Sequence, residues 1–592
     1  MATDTIAHRI QEQGSRRPDG AAYYEKVGGS WKMTTWKTYA SQIRQAGKSL
    51  IALGVDHGTP VTILGFNAPE WTTMDCAAFS VGGVPAGIYA PNPPEEIEYI
   101  LNHCESPVLL IEDETQWAKI AVIKDQCPHL KHVVTYRGVK IDDPLAMSWD
   151  EFVAAGSELD DSVFDQRMSE LEDDQLATLI YTSGTTANPK GVMLTHKNLW
   201  WTADAALKIT NVNENDCTLS YLPLAHIAEQ MFTIHVPVSA GYPVYFAEGM
   251  TPEILAGNLG EVQPTVFFGV PRIWEKFHTK LAAGLGAATG IKAILASWAM
   301  GVGRDVSALK MRGETPAGLL AIKHRLADKL IFSKVKPKIG LSRAKICVSG
   351  AAPIAPEVLE FFTGLDIVVQ EVYGQSEDTG PTSFNLTGRT RFGTVGPAVE
   401  GCEVVIAEDD EILVRGPNVF KGYYKDEAAT AEALVDGWLH SGDLGSFDSD
   451  GFLSITGRKK DIIITAGGKN IAPKKVEAAL KNIIPINEAV MVGDKRKFCS
   501  AVVTIDPDWA ADYAKKEGTD FATLHEYAPL RAMLEAEVNK ANQEFPSVMQ
   551  IKKFAILPRN FTIEDKELTP TLKVKRRFVY ENWDAEIEAL YS

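Results

Sequence analysis

No stretch of about 18 uninterrupted apolar residues occurs anywhere in the 592 residues, so the sequence offers no membrane-spanning helix. The N-terminus (MATDTIAHRIQEQGSRRPDG) lacks the apolar core of a signal peptide, with Asp4 and Glu12 standing in its place. Cysteine is scarce and scattered: Cys76, Cys104, Cys127, Cys217, Cys347, Cys402 and Cys499 are odd in number and contain no C-x-x-C pair. A disulfide framework and a structural zinc site are disfavoured, and a reducing, cytoplasmic setting is expected. Positive charge is in deficit, with 59 Lys+Arg against 77 Asp+Glu and a net charge of −18. That argues against nucleic acid as a partner, because a phosphate backbone needs a net basic face. Internal repeats and low-complexity segments are also missing. What is present is 45% apolar residues in a length suited to about three or four globular units, ample for buried cores.

Charge is spread unevenly. Residues 458–592 hold 22 Lys+Arg and 20 Asp+Glu, a net of +2, which leaves 37 basic and 57 acidic residues in 1–457. Within that acidic body, residues 285–343 carry 11 Lys+Arg and 3 Asp+Glu, a net of +8. Two readings of this basic insert stand: a solvated helical face, or a surface that meets lipid headgroups. Local basic clusters at Arg458–Lys459–Lys460, Lys495–Arg496–Lys497 and Lys573–Arg577 suit small polyanions such as nucleotides.

From about residue 59 to 137, short apolar runs (VTILGF, VPAGIYA, VLLIE, HVVTY) alternate with helical segments, the pattern of a parallel α/β sheet. The alternation resumes at LATLIYT (176–182) and continues through PVYF, TVFFG, KICVSG and DIVVQEVYG, so two α/β subdomains are expected. Residues 285–343 break the pattern with Ala- and Lys-rich helical sequence. Between about 390 and 457 the segments GTVGPAVEG, EILVRGP and GFLSITG read as antiparallel strands and turns, with DSDG (448–451) as a turn. Beyond Gly457, short strands mixed with helices read as a separate α+β domain.

Four loops carry chemistry. In YTSGTTANPKG, an apolar strand runs into Thr182, Ser183, Gly184, Thr185, Thr186 and Lys190, hydroxyls, backbone and one cation able to surround phosphate oxygens. It is not a Walker A loop, since Lys190 precedes Gly191. In EVYGQSEDTG, Glu371 to Gly380, Tyr373 offers a flat face to a base, Gly374 and Ser376 follow, and Glu377 supplies a hard oxygen for Mg2+. A serine-hydrolase elbow fails here because Asp378 stands where glycine is required. In the run Gly437 to Pro473, Asp443 suits the hydroxyls of a ribose, Arg458 follows a predicted hairpin, and Gly467 and Gly468 permit close backbone approach. In ELTPTLKVKRR, Lys573 sits between Leu572 and Val574, with a basic solvated tail as the alternative.

Taken together these motifs resemble an adenylate-forming acyl-CoA synthetase, of the superfamily that includes acyl- and aryl-CoA ligases, peptide-synthetase adenylation domains and firefly luciferase. The likeness runs over almost the whole chain. LPLAHIAEQ, FFGVPRIWEK, ITGRKKDIIITAGGKNIAP and LTPTLKVKRR are most similar to long-chain fatty acyl-CoA synthetases of the bubblegum type. The resemblance implies a large N-terminal domain (1–457) of two α/β subdomains plus a β-barrel-like subdomain, and a small mobile α+β C-terminal domain (458–592). It implies a phosphate loop at Thr182–Lys190, an adenine-lining stretch at Gly350, Ala351 and Ala352, a stacking Tyr373, and magnesium on Glu377 and Thr185. It further implies a ribose pair Asp443–Arg458, a hinge at Lys460, Gly467 beside the pantetheine path, a catalytic Lys573, and an acyl pocket near His226, Gly269 and Val270. A core histidine is the alternative for His226. The chain departs from the pattern mildly at Ala187, at Ser376, where the hydroxyl is retained, and at Leu572, where short-chain members have glycine and the long-chain group does not.

The implied reaction has two halves. A fatty carboxylate attacks the α-phosphate of MgATP to give acyl-AMP and pyrophosphate, and the thiol of coenzyme A then displaces AMP. The carboxylate is already ionised, so preorganised positive charge is what the first half needs. A medium-chain or aryl acid, or a carrier protein in place of coenzyme A, are the alternatives. Oligomeric state, monomer or homodimer, is open.

Overall fold

The computed structural model describes residues 4–182, 188–569 and 572–592. The expected calls on Ser183, Gly184, Thr185 and Thr186 lie outside the described residues.

The first sheet has the order Gly422–Tyr423, Lys190–Thr195, Leu176–Thr182, Val84–Ile88, Pro60–Leu64, Val108–Ile111, His132–Thr135, Ala146–Ser148. Strands Pro60–Leu64, Val84–Ile88 and Val108–Ile111 are buried at every position, as a parallel sheet covered on both faces requires. One covering helix, Pro69–Ser80, is buried at every position but Glu70, in keeping with the small and apolar residues that make up most of it. LATLIYT departs from the expected grouping. It pairs in parallel with Val84–Ile88 and so extends the first sheet rather than opening the second. The Thr178 hydroxyl donates to Pro85 O at 3.0 Å and fixes that neighbour.

The second α/β unit contains Thr218–Ser220, Val244–Phe246, Ala21–Val27 and Ser30–Thr35 in one sheet, and Val266–Gly269, Ile346–Ser349, Val369–Tyr373 and Ser383–Phe384 in another. The two adjoin where the N–H groups of Thr265 and Val266 donate to Cys217 O at 3.0 and 3.1 Å. The N-terminal hairpin therefore belongs to this second unit, which sequence order does not suggest.

The β-rich part is a five-stranded antiparallel sheet. Asp448–Gly451 forms its expected turn, Phe452 N donating to Asp448 Oδ1 at 2.9 Å. GTVGPAVEG, in contrast, runs as turns with an isolated bridge from Ala398 to Ser383. Gly393, Gly396 and Gly401 each hold positive φ, which no regular ladder accommodates.

The basic insert is helical as expected. Ile291–Lys310 and Gly318–Ala327 close over a small core of Ala299, Val302, Val306, Ala327 and Phe332. It is tied down by the buried Asp366, whose carboxylate takes Lys310 at 2.6 Å, His324 at 3.1 Å and Lys336 at 3.2 Å. The C-terminal lobe has its own core, including Val476, Leu480, Leu530, Leu534 and Val538 against the strands Ile486–Val492, Cys499–Ile505 and Ile551–Ile556.

Candidate active site

Three parallel strands, Val266–Gly269, Ile346–Ser349 and Val369–Tyr373, are in register, Gly269 opposite Ser349 and Ser349 opposite Glu371. Their carboxyl ends present, side by side, Gly269 and Val270, then Gly350 to Ala352, then Tyr373. Ligands of α/β sheets bind beyond such ends. A Cβ at Gly350 would lie 2.5 Å from the Val372 side chain, so a larger residue would disturb this edge. Ala351 holds φ +67° and, with Ala352, faces solvent.

The turn after Tyr373 is rigid for identifiable reasons. A Cβ on Gly374 would lie 1.3 Å from Gly380 O, so only glycine fits. Asp378 is fully buried and accepts from Gln375 N at 2.7 Å. Burial holds its carboxyl well above the usual range, against that hydrogen bond. Ser376 is buried, and the single 3-10 turn Ser376–Asp378 presents Glu377. Glu371, at the start of this loop, accepts from Gly393 N at 3.0 Å, and burial pushes its pKa up to about 8.

The hairpin of Trp438–Phe447 and Leu453–Arg458 sets Asp443 directly opposite Arg458. Arg458 Nε lies 3.1 Å from Asp443 Oδ1, and the Tyr373 hydroxyl donates to Asp443 Oδ2 at 3.0 Å. Burial raises the Asp443 pKa, against the pull of Arg458 and Tyr373. Asp443 in turn raises that of Arg458. Tyr373, Asp443 and Arg458, 85 residues apart at the extremes, are thus joined through Asp443 by one hydrogen bond and one ion pair.

A second chain of contacts runs beside it. Glu377 Oε1 accepts from the Tyr423 hydroxyl at 2.8 Å, and Lys190 Nζ stands 4.8 Å from the centre of the Tyr423 ring and 3.7 Å from Asp426. Tyr423 was not singled out by the sequence, yet it links the two loops.

Lys573 comes to this cleft from the other lobe. The residue keeps an exposed surface, yet the protein packed around it and the charges of Arg458 and Lys474 bring its pKa down to about 8, opposed by Asp443 and Glu377. His226 is within range of the same charge; burial first and Lys573 second push it down to about 3, so its ring is neutral. Its Nδ1 accepts from Ala228 N at 3.1 Å, capping a short helix while the residue stays partly open. Lys460 is exposed on the 3-10 turn Lys459–Asp461 where the lobes join, whereas Lys459 beside it is held by Asp409 at 2.7 Å and Glu411 at 3.0 Å. Gly467 lies outside the cluster, in a turn where only Thr465 comes within 4 Å of an added Cβ. Thr182 ends its strand, partly exposed.

Among the described residues no group of three or more His, Cys, Asp or Glu side chains converges as a cation site. Glu377, one of whose carboxylate oxygens is engaged by Tyr423, offers the kind of hard oxygen that a magnesium ion takes. A surface groove of about 400 Å³ lined by Arg312, Arg389 and Arg391 lies elsewhere, and Arg391 there is paired with Asp448 and Asp450.

The pattern described as AMP-binding enzyme matches residues 10–424, and that of the AMP-binding enzyme C-terminal domain matches 460–592. The long-chain-fatty-acid--CoA ligase ACSBG2 of Xenopus laevis is 39% identical, over 99% of this chain and 84% of that protein. The long-chain-fatty-acid--CoA ligase FadD15 of Mycobacterium tuberculosis is 36% identical, over 100% and 97% respectively. Among solved structures, the anthranilate CoA ligase AuaEII in complex with anthranoyl-AMP superposes with a TM-score of 0.74 at 19% identity, over 100% of this chain and 99% of that one. A Mycobacterium tuberculosis fatty acyl CoA synthetase does so with a TM-score of 0.62 at 18% identity, over 98% and 99%. At such identities the structural likeness speaks for the fold. With the sequence matches over both lobes, the chain belongs to the AMP-binding enzymes.

Proposed function

We propose that the protein is an AMP-forming long-chain fatty acid–CoA ligase. The observation that carries this reading is that Lys573, from the small lobe, lies within range of the charges of Asp443, Arg458 and Glu377. The relatives' names supply the substrate class. ATP is held with its adenine against Tyr373 and its ribose hydroxyls on Asp443. Its phosphates lie toward Lys190 and the 182–190 loop. The acyl carboxylate enters past His226, Gly269 and Val270. A carboxylate oxygen bonds to the α-phosphorus as the bond to pyrophosphate breaks, and the ammonium of Lys573 stabilises the charge gathering on the phosphoryl oxygens. Glu377 and Thr185 would hold a magnesium ion, which would supply positive charge to the phosphates. Coenzyme A then bonds through sulfur to the acyl carbon, its thiol proton is lost and AMP departs. Lys573 is in the way of that thiol, so the small lobe turns about Lys460, bringing Gly467 toward the pantetheine.

The test is coenzyme A-dependent AMP release across fatty acids from C6 to C24. A maximum at long chains is expected, because each buried CH2 contributes about 0.8 kcal/mol. A maximum at short or aromatic acids overturns the substrate, and activity with a carrier protein but not free coenzyme A overturns the acceptor.

The same reading places the enzyme in a reducing cytosol, in keeping with seven buried free thiols, and in contact with membranes through the insert. No helix among the described residues is long and apolar enough to cross a membrane. Helix Gly318–Ala327 nonetheless leaves Leu319, Ile322 and Leu326 at i, i+3 and i+7 exposed by 67, 63 and 48%. Lys323, Arg325 and Lys329 accompany them, also exposed. An aliphatic stripe among cations suits an anionic lipid surface. Flotation with phosphatidylglycerol-containing vesicles is expected to drop about fivefold or more when these three residues become serine. Unchanged flotation removes the membrane contact from this face.

A further inference from the structure

Lys573 is useful to the first half-reaction only if its arm is held, and the structure provides the holding parts. Leu568–Thr569 and Lys573–Val574 pair as the two arms of a small hairpin: Leu568 bridges Val574, Thr569 N donates to Lys573 O at 2.8 Å, and Lys573 N donates to the Thr569 hydroxyl at 3.0 Å. At the base of the hairpin, Lys575 N donates to Glu567 O at 2.7 Å. The Glu567 carboxylate is wholly buried. It accepts from Arg559 at 2.6 and 3.0 Å, from Thr562 N at 3.0 Å, from Trp583 Nε1 at 2.7 Å and from Asn582 Nδ2 at 3.3 Å. A buried charge with this many donors fixes the surrounding backbone far better than a solvated one.

The anchor continues to the other lobe. Asn560, next to Arg559, accepts through its side-chain oxygen from Asn487 Nδ2 at 2.7 Å. Asn487 Oδ1 in turn accepts from Arg272 Nη2 at 2.5 Å, and Asp506 lies 3.4 Å from the same nitrogen. Arg272 belongs to the large lobe. It stands in the first turn of helix Pro271–Gly286, two residues after Val270. One path of charge-assisted and amide hydrogen bonds therefore leads from the expected acyl pocket to the base of the lysine hairpin.

We infer that Arg272 and Glu567 are positioning residues for the adenylation half-reaction. Arg272 docks the small lobe with Lys573 in the cleft, and Glu567 holds the hairpin that carries it. Neither touches the reacting atoms in this assignment. The bond from Arg272 must break when the small lobe turns, so its contribution belongs to the first half-reaction and not the second. This rests on the reading of Lys573 given above.

The experiment compares wild type and Arg272→Ala in two assays: acid-dependent ATP–pyrophosphate exchange, and coenzyme A-dependent turnover of supplied acyl-AMP. Arg272 is partly exposed and belongs to none of the hydrophobic cores, so the substitution leaves them intact. The expected result is a fall in exchange kcat of about tenfold or more, with KM for ATP within threefold, acyl-AMP turnover within twofold and an unchanged chain-length preference. Arg272→Lys, which can still pair with Asp506, is expected to recover part of the loss. Glu567→Gln is expected to give the same split where it folds. Equal losses in both assays, no loss in either, or a shifted chain-length preference overturns the inference. Absence of acid-dependent exchange in the wild type overturns the proposed function instead.

Discussion

Replacing Lys573 by methionine lowers acid-dependent ATP–pyrophosphate exchange by about a hundredfold to a thousandfold, the range observed when one preorganised donor to a developing oxyanion is removed. Methionine keeps the length and removes the charge, so the hairpin closed by Thr569 and Lys575 remains. Turnover of supplied acyl-AMP by coenzyme A stays within about threefold, because the ammonium is not required once the phosphoric anhydride has formed. The same residue sets a pH dependence. Its pKa is brought down to about 8, chiefly by burial. The active form is protonated, so kcat/KM for ATP, which reports the free enzyme, is full below that value and declines as pH rises through it. ATP adds negative charge beside the ammonium and favours its protonated form, so the limb in kcat lies at higher pH. A kcat/KM profile flat from pH 7 to 10, or a variant impaired equally in both half-reactions, removes Lys573 from the chemistry.

What the sequence makes legible follows from how local each feature is. Asp443 and Arg458 could be paired by eye because the turn at Asp448–Gly451 lies between them and a hairpin fixes which residues face each other. The strand ends carrying Gly269, Gly350 and Tyr373 were visible as apolar runs that stop at glycine or aromatic residues. LATLIYT was grouped with the wrong sheet because the partner of a parallel strand is chosen by tertiary packing, here Val84–Ile88 some 90 residues earlier. GTVGPAVEG looked like strand from composition, but its glycines adopt positive φ, a property the residue permits without announcing. Tyr423 escaped altogether. It is 46 residues from Glu377 and much farther from Lys190, and no spacing rule joins a tyrosine to an acid and a cation across two loops. Arg272 and Glu567 escaped for the same reason: each is an ordinary charged residue until the lobes are packed.

Asp443→Ala is expected to raise KM for ATP by about 30-fold to 300-fold, with a smaller loss in kcat. A hydrogen bond to a charged acceptor contributes about 1.5–3 kcal/mol, and a ribose offers this carboxylate two hydroxyls. The same substitution leaves the Tyr373 hydroxyl and Arg458 without the partner they share, at 3.0 and 3.1 Å respectively. Arg458 has nearly half its side chain in water, so loss of the pair costs less than the about 3–5 kcal/mol of a fully buried one. The effect should therefore fall on nucleotide binding more than on folding. Two comparisons separate recognition of ribose from general damage. The wild type should prefer ATP over 2′-deoxy-ATP, and Asp443→Ala should lose most of that preference. In a double-mutant cycle, Arg458→Ala should cost far less in the Asp443→Ala background than alone, because its ion-pair partner is already gone. Retained discrimination against the deoxy nucleotide, or strictly additive effects of the two substitutions, would mean that this pair does not read the sugar and that the nucleotide lies elsewhere in the cleft.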